Sequence, residues 1–134
     1  VARHTIGLLE SPEAVWDKLR PAVTDPQRTR KSDPGEPDRC PTVYPLHKAF
    51  SSPAVVAEVE ANCRSAGWGC IDCKKALHAS MTAELAPIQA RAADLAADPS
   101  VVDELLAEGG RRARAVARET MGVVRERMGL DASA

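Results

Sequence analysis

The residues of this chain most suited to chemistry are its four cysteines, Cys40, Cys63, Cys70 and Cys73. Four thiolates together bind either a zinc ion or an iron–sulfur cluster. Cys70 and Cys73 form a Cys-x-x-Cys pair that runs directly into a helical pattern, which predicts both in the first turn of a helix. Unpaired backbone N–H groups and the positive end of the helix dipole stabilise a thiolate at that position.

Three uses of these cysteines compete. Two disulfides are disfavoured, because the sequence shows no charged and then apolar leader of the kind that secreted proteins carry. Zinc ribbons generally supply two Cys-x-x-Cys knuckles, whereas this chain has one such pair and two isolated cysteines. A [4Fe-4S] cluster takes one thiolate at each corner and suits ligands that arrive from separate segments. The spacing alone leaves zinc and the cluster open.

Four stretches of the sequence carry a resemblance to a known family. Residues 6–25 begin Ile-Gly-Leu-Leu-Glu-Ser-Pro, residues 29–35 read Thr-Arg-Lys-Ser-Asp-Pro-Gly, residues 69–88 begin Gly-Cys-Ile-Asp-Cys-Lys-Lys, and residues 108–130 end Met-Gly-Leu. In this order they resemble the C-terminal helical region of tryptophanyl-tRNA synthetases, which are class I aminoacyl-tRNA synthetases. The first stretch resembles the segment that follows the family's Lys-Met-Ser-Lys-Ser loop. The likeness covers nearly the whole chain.

The resemblance implies the anticodon-binding part of a tryptophan–tRNA ligase, which uses ATP to charge tRNA with tryptophan. One subset of these synthetases carries a [4Fe-4S] cluster on this cysteine spacing, close to where the anticodon binds, and this favours the cluster over zinc. The implied partners are the anticodon arm of tRNA, a catalytic domain of the same enzyme that binds ATP, and a second subunit held through that domain. Five basic residues become candidates for RNA contact: Lys74, Lys75, Arg28, Arg30 and Lys31.

The sequence also departs from a complete synthetase. The family's His-x-Gly-His-type signature and its Lys-Met-Ser-Lys-Ser loop are absent, and Arg3-His4 stands where the family usually has Gly-Asn. Residues 1–25 are therefore expected to be the segment after the signature loop with the first helix, and residues 26–134 the helical anticodon-binding domain with the cluster site. No catalytic residue is predicted here. The alternative is a stand-alone iron–sulfur or zinc module that binds RNA or protein without catalysis.

Composition narrows the possible functions. The formal net charge of −1 gives no overall attraction to nucleic acid, so RNA contact must come from local patches. Aromatic residues make up 3% of the chain, which argues against an extended base-stacking platform. No apolar run is long enough for a membrane span, and the expected location is cytoplasmic. His47 and His78 are expected to be packing or surface residues, because four thiolates already complete a ligand set.

Helical periodicity and the lack of alternating β-branched segments predict an all-α fold, a helical bundle with a long loop. Ser-Pro at 11–12 and 52–53 and Asp-Pro at 98–99 are predicted helix starts. The helices are expected to begin at residue 12, to span 53 to about 65, about 71 to 97 with a bend at Pro87, and 99 to 128, where Gly109-Gly110 weakens the helix enough to allow a local break. Residues 24–45 form the predicted loop. The predicted core stripe of the third of these helices contains Leu77, Met81, Leu85, Ile88 and Leu95.

Overall fold

The computed structural model describes residues 5–130 of the chain. Across that range the chain is helical and contains no β-strand, which confirms the predicted fold class. The elements are α1 (Pro12–Leu19), a 3-10 turn (Pro37–Arg39), α2 (Val43–Phe50), α3 (Pro53–Arg64), α4 (Cys70–Ala97) and α5 (Pro99–Arg127). Within residues 5–130, no helix has the length and apolar content needed to cross a membrane.

Three helices begin at the capping signals that the sequence predicts. Ser11, Ser52 and Asp98 are the N-cap residues of α1, α3 and α5, and each side chain accepts a hydrogen bond from a backbone N–H in the first turn. A proline follows each cap directly. The backbone N–H at this first helical position has no acceptor within the helix, so a proline there costs no hydrogen bond. These short-range interactions fix the helix starts independently of tertiary contacts.

Three local predictions differ from the structure. Helix α2 begins at Val43, so the long loop ends earlier than residue 45. Helix α5 continues through Gly109-Gly110, because a cost of about 1 kcal/mol per glycine does not interrupt a 29-residue helix. The side chain of Ile88 is 44% exposed and lies outside the core that contains Leu77, Met81 and Leu85.

The chain divides into two compact units between Ala92 and Ala93. In the first unit, α1, α2 and α4 share one apolar core, against which Cys40 and Cys73 pack. Its buried members are Val15, Leu19, Val43, Leu77, Met81 and Leu85. Helix α5 of the second unit lies wholly within the described residues, and none of its residues is buried.

Polar contacts tie the N-terminal segment to α4 in the first unit. The Nε2 atom of His78 lies 2.7 Å from the carbonyl oxygen of Pro12, and the His78 ring meets the edge of Trp16 with centroids 5.6 Å apart. The side-chain amide of Gln89 donates to the carbonyl of Glu10 at 2.9 Å. The first helix is therefore anchored to the helix that carries two of the cysteines.

Candidate metal centre

All four cysteines line a single cavity of about 30 Å³ in the first unit. Cys40 follows the 3-10 turn, Cys63 lies in the last turn of α3, and Cys70 and Cys73 lie in the first turn of α4. The four thiols are free. Within residues 5–130, no three His, Cys, Asp or Glu side chains are arranged around the position of a metal ion. The remaining lining residues are Thr24, Asp25, Arg28, Val59, Trp68 and Gly69.

A capping arrangement holds the Cys-x-x-Cys pair. The backbone N–H of Cys73 donates to the Gly69 carbonyl at 3.1 Å, while the Gly69 N–H donates to Oδ2 of Asp72 at 3.0 Å. The hydrogen bond from Gly69 is the main cause that lowers the pKa of Asp72. Asp72 therefore caps the backbone N–H of Gly69 and leaves the sulfur positions to the cysteines.

Gly35 permits the long loop to pass directly over one of the sulfurs. Its N–H donates to the carbonyl of Cys63 at 2.9 Å. A Cβ atom at Gly35 would lie 2.7 Å from the Sγ of Cys63 and 3.2 Å from the Cδ of Arg28. Gly35 stands at the end of the stretch Thr-Arg-Lys-Ser-Asp-Pro-Gly, but nothing in the sequence pattern connects it with a cysteine that lies 28 positions later.

His47 supports Cys73 from the core side. It is 0% exposed, and its Nε2 lies 3.1 Å from the Cys73 carbonyl oxygen and 3.5 Å from the Cys73 Sγ. Burial lowers the pKa of His47, so the ring is neutral at pH 7. Because Nε2 faces a carbonyl it carries the proton, and Nδ1 lies 2.9 Å from the hydroxyl oxygen of Ser51. His47 therefore orients the backbone of Cys73.

Burial makes two of the thiols in the cavity, those of Cys63 and Cys73, poor acids. Burial first, and then charge repulsion from the neighbouring Cys40, Cys63 and Cys70, raise the pKa of Cys73 to about 12. Burial likewise raises the pKa of Cys63, against the opposing charge of Arg28. A metal centre would have to displace these protons, so that metal uptake and thiol ionisation are coupled.

Lys74 does not occupy the exposed helix face from which the sequence predicts an RNA contact. Its side chain is buried at 5% exposure, and its ammonium group donates to the Arg20 carbonyl at 2.7 Å. Burial lowers its pKa, while the charges of Cys70, Cys40 and Cys73 act in the opposite direction. An RNA contact by Lys74 would require its ammonium group to leave that carbonyl. The next residue along the helix, Lys75, is exposed.

The three basic residues predicted in the long loop fall into two groups. Arg30 and Lys31 are exposed, and the Nζ of Lys31 lies 3.5 Å from Oδ2 of Asp72. Arg28 is half-buried and lines the cavity, where its Nε is buried without a hydrogen-bond partner among residues 5–130. Four free sulfurs and an unpaired N–H donor around one cavity fit an anionic, thiolate-bound centre.

Asp25 organises the loop that carries Arg28 and Gly35. Its two carboxylate oxygens accept hydrogen bonds from the backbone N–H groups of Glu36 and Gln27, each at 2.9 Å. These two bonds hold the pKa of Asp25 below its ordinary value of 3.8, in spite of burial. Sequence analysis missed this role, since an aspartate in a polar loop is unremarkable without knowledge of its partners.

The effect of Asp25 on stability is expected to depend on pH. A carboxyl group with a lower pKa in the folded chain stabilises the fold above its unfolded pKa and loses that contribution as the pH falls through the folded value. Asp25→Ala should lower the free energy of unfolding at pH 7 by about 1–3 kcal/mol, because it leaves a part-buried N–H unpaired. Urea unfolding at pH 7 and pH 2.5 tests this; an equal difference between variant and wild type at both values would contradict it.

No family model matches the chain. A tryptophan–tRNA ligase of Deinococcus radiodurans is 49% identical over 126 residues, which is 94% of this chain. A tryptophan–tRNA ligase of Thermotoga maritima is 42% identical over 132 residues, or 95% of this chain. The homologues of this chain are tryptophan–tRNA ligases. The chain corresponds to the C-terminal part of those ligases.

A solved structure of such a ligase shares the fold. The crystal structure of tryptophanyl-tRNA synthetase from Campylobacter jejuni, complexed with ADP and tryptophan, matches 96% of this chain with a TM-score of 0.83 and 25% sequence identity. The chain spans 38% of the Deinococcus ligase, 39% of the Thermotoga ligase and 39% of the Campylobacter chain. The likeness to these ligases therefore extends over nearly all of this chain and well under half of each of them.

Proposed function

We propose that this chain is the anticodon-binding part of a tryptophan–tRNA ligase and that Cys40, Cys63, Cys70 and Cys73 hold a [4Fe-4S] cluster. The observation that carries the first statement is the 49% identity to a tryptophan–tRNA ligase over 94% of the chain. Convergence of all four cysteines on one cavity supports the second. The proposed partners are the anticodon arm of tRNA and a catalytic domain that binds ATP and tryptophan.

When bound, the cluster would supply four iron–thiolate bonds that cross-link separate segments. The protein side of this cross-link is the long loop at Cys40, the end of α3 at Cys63 and the start of α4 at Cys70 and Cys73. Joining these segments restricts their relative motion, and a rigid surface loses less entropy when it binds RNA. The role proposed here is structural and needs no change in oxidation state.

The proposed RNA surface contains Arg30, Lys31 and Lys75. All three are exposed in the first unit. The positive charges of Lys31 and Lys75 help to lower the pKa of Asp72, which lies in the turn that holds the cysteine pair. The positive charges of Lys31 and Lys75 therefore lie next to the turn that carries Cys70 and Cys73, although the chain as a whole carries a net charge of −1. Local cations of this kind attract the phosphate backbone without reading bases.

Lys75→Ala is expected to weaken binding of a tryptophan-tRNA anticodon stem-loop and to lower the slope of log affinity against log salt concentration by about one. Lys48→Ala is the matched control, since it removes the same charge from another exposed lysine of the first unit. Fluorescence titration at several salt concentrations measures both. Equal slopes for the wild type and Lys75→Ala would contradict the proposed phosphate contact.

Anaerobic purification followed by measurement of iron, acid-labile sulfide and zinc tests the cluster itself. We expect about four irons and four sulfides per chain for a [4Fe-4S] cluster, with visible absorbance. One zinc ion per chain and no sulfide would show that the four cysteines bind zinc and not a cluster. Absence of both from the folded protein would contradict a metal centre altogether.

A further inference from the structure

The side chain of Arg28 is turned into the cysteine cavity and away from the solvent-facing surface of its loop. Its Nη2 donates to two backbone carbonyls, those of Lys31 and Trp68, each at 2.7 Å. The first bond closes the loop on itself and the second joins it to the turn before α4. With Nη2 fixed on both sides, the guanidinium group has a defined orientation relative to the cavity.

That orientation leaves one donor of Arg28 without a partner. Its Nε is buried and has no hydrogen-bond acceptor among residues 5–130. A buried donor of a charged group costs free energy when it stays unpaired, so such an atom usually faces a ligand or water. The cavity that Arg28 lines is also lined by four cysteines. The Cδ of Arg28 and the Sγ of Cys63 are close to each other, because both lie within 3.2 Å of the position that a Cβ atom on Gly35 would occupy.

We infer that Arg28 is a positioning residue of the metal centre, donating its Nε–H toward cluster or thiolate sulfur and offsetting the negative charge there, and that it does not contact RNA. This inference rests on the proposed cluster. Hydrogen bonds to sulfur and nearby positive charge stabilise the more negative, reduced form of such a centre. Loss of Arg28 should therefore make the centre harder to reduce and easier to dismantle.

The experiment compares wild type with Arg28→Gln and Arg28→Lys, all purified anaerobically and assayed for iron and sulfide. Arg28→Gln removes the charge and the Nε donor, whereas Arg28→Lys keeps the charge and loses the Nε donor. Arg91→Gln is the control, because it removes the same charge from an exposed arginine of α4 that lies 18 positions beyond Cys73. Circular dichroism checks the helix content of each.

The expected result is a shift of the reduction potential to more negative values in Arg28→Gln and a smaller shift in Arg28→Lys. We expect iron release to a chelator about 10-fold faster in Arg28→Gln, by analogy with other residues that support metal ligands. Arg91→Gln should match the wild type in both measurements. If Arg28→Gln does not fold, Arg28→Lys alone carries the test.

Three results would overturn the inference. Fully loaded Arg28→Lys with wild-type potential and release rate would show that the Nε donor has no role. Unchanged potential in Arg28→Gln together with weakened stem-loop binding would return Arg28 to the RNA surface. Absence of iron and sulfide from the wild type would remove the proposed cluster and the inference with it, an outcome that the metal assay separates from the first two.

Discussion

Serine at any one of the four cysteine positions is expected to abolish the visible absorbance of the protein and to weaken anticodon stem-loop binding in the same variant. A serine hydroxyl is a much weaker acid than a thiol and a poorer ligand for iron, so the centre is weakened at one of its four ties. Cys73→Ser should have a large effect, because Cys73 packs against the apolar core and His47 holds its backbone. Loss of the cross-link should lower the free energy of unfolding by roughly 3 kcal/mol, which is the order found when a disulfide that closes a loop of roughly 20 residues is removed.

Thr24→Ser is the matched control for this experiment. Thr24 lines the same cavity, and the substitution removes a single methyl group without touching a sulfur. It should retain iron, sulfide and stem-loop affinity. A colourless, folded Cys→Ser variant that binds the stem-loop as tightly as wild type would show that the centre does not organise the RNA surface.

A methyl group at Gly35 is expected to disturb the same centre without removing any ligand. In Gly35→Ala the new Cβ would lie 2.7 Å from the Sγ of Cys63, well inside van der Waals contact, so the sulfur or the loop must move. Gly35 is buried, and its N–H is already fixed to the Cys63 carbonyl, which limits how far the loop retreats. Overpacking of this kind costs about 1–3 kcal/mol. We expect a lower melting temperature and incomplete iron loading.

Gly109→Ala provides a control with the opposite expected sign. Gly109 lies within α5, and a Cβ there would meet no atom within 4 Å. Alanine in a helix interior is more favourable than glycine by up to about 1 kcal/mol, so this variant should be slightly stabilised and fully loaded. Thermal unfolding and iron analysis of both variants test the pair. Full loading and an unchanged melting temperature in Gly35→Ala would show that the loop relaxes at no cost.

The sequence by itself determined the helical architecture of this chain and the set of candidate ligands. The cap side chains of Ser11, Ser52 and Asp98 each bond to a backbone N–H two or three residues later, so these helix starts can be recognised from the sequence. The Cys-x-x-Cys pair in the first turn of α4 is equally local. The resemblance to tryptophanyl-tRNA synthetases also came from the order of short motifs, and homology to the ligases supports it.

Only the tertiary structure decided which basic and small residues face the cysteines. Lys74 and Lys75 are neighbours in sequence, but the packing of α4 on α1 buries Lys74 against the Arg20 carbonyl and leaves Lys75 exposed. Arg28 turns inward because the carbonyl of Trp68, 40 positions away, accepts from its guanidinium group. Gly35, in the long loop, is required by the sulfur of Cys63 on α3. Contacts between segments that are distant in sequence set these orientations. They therefore cannot be predicted from the pattern of residue types along the chain.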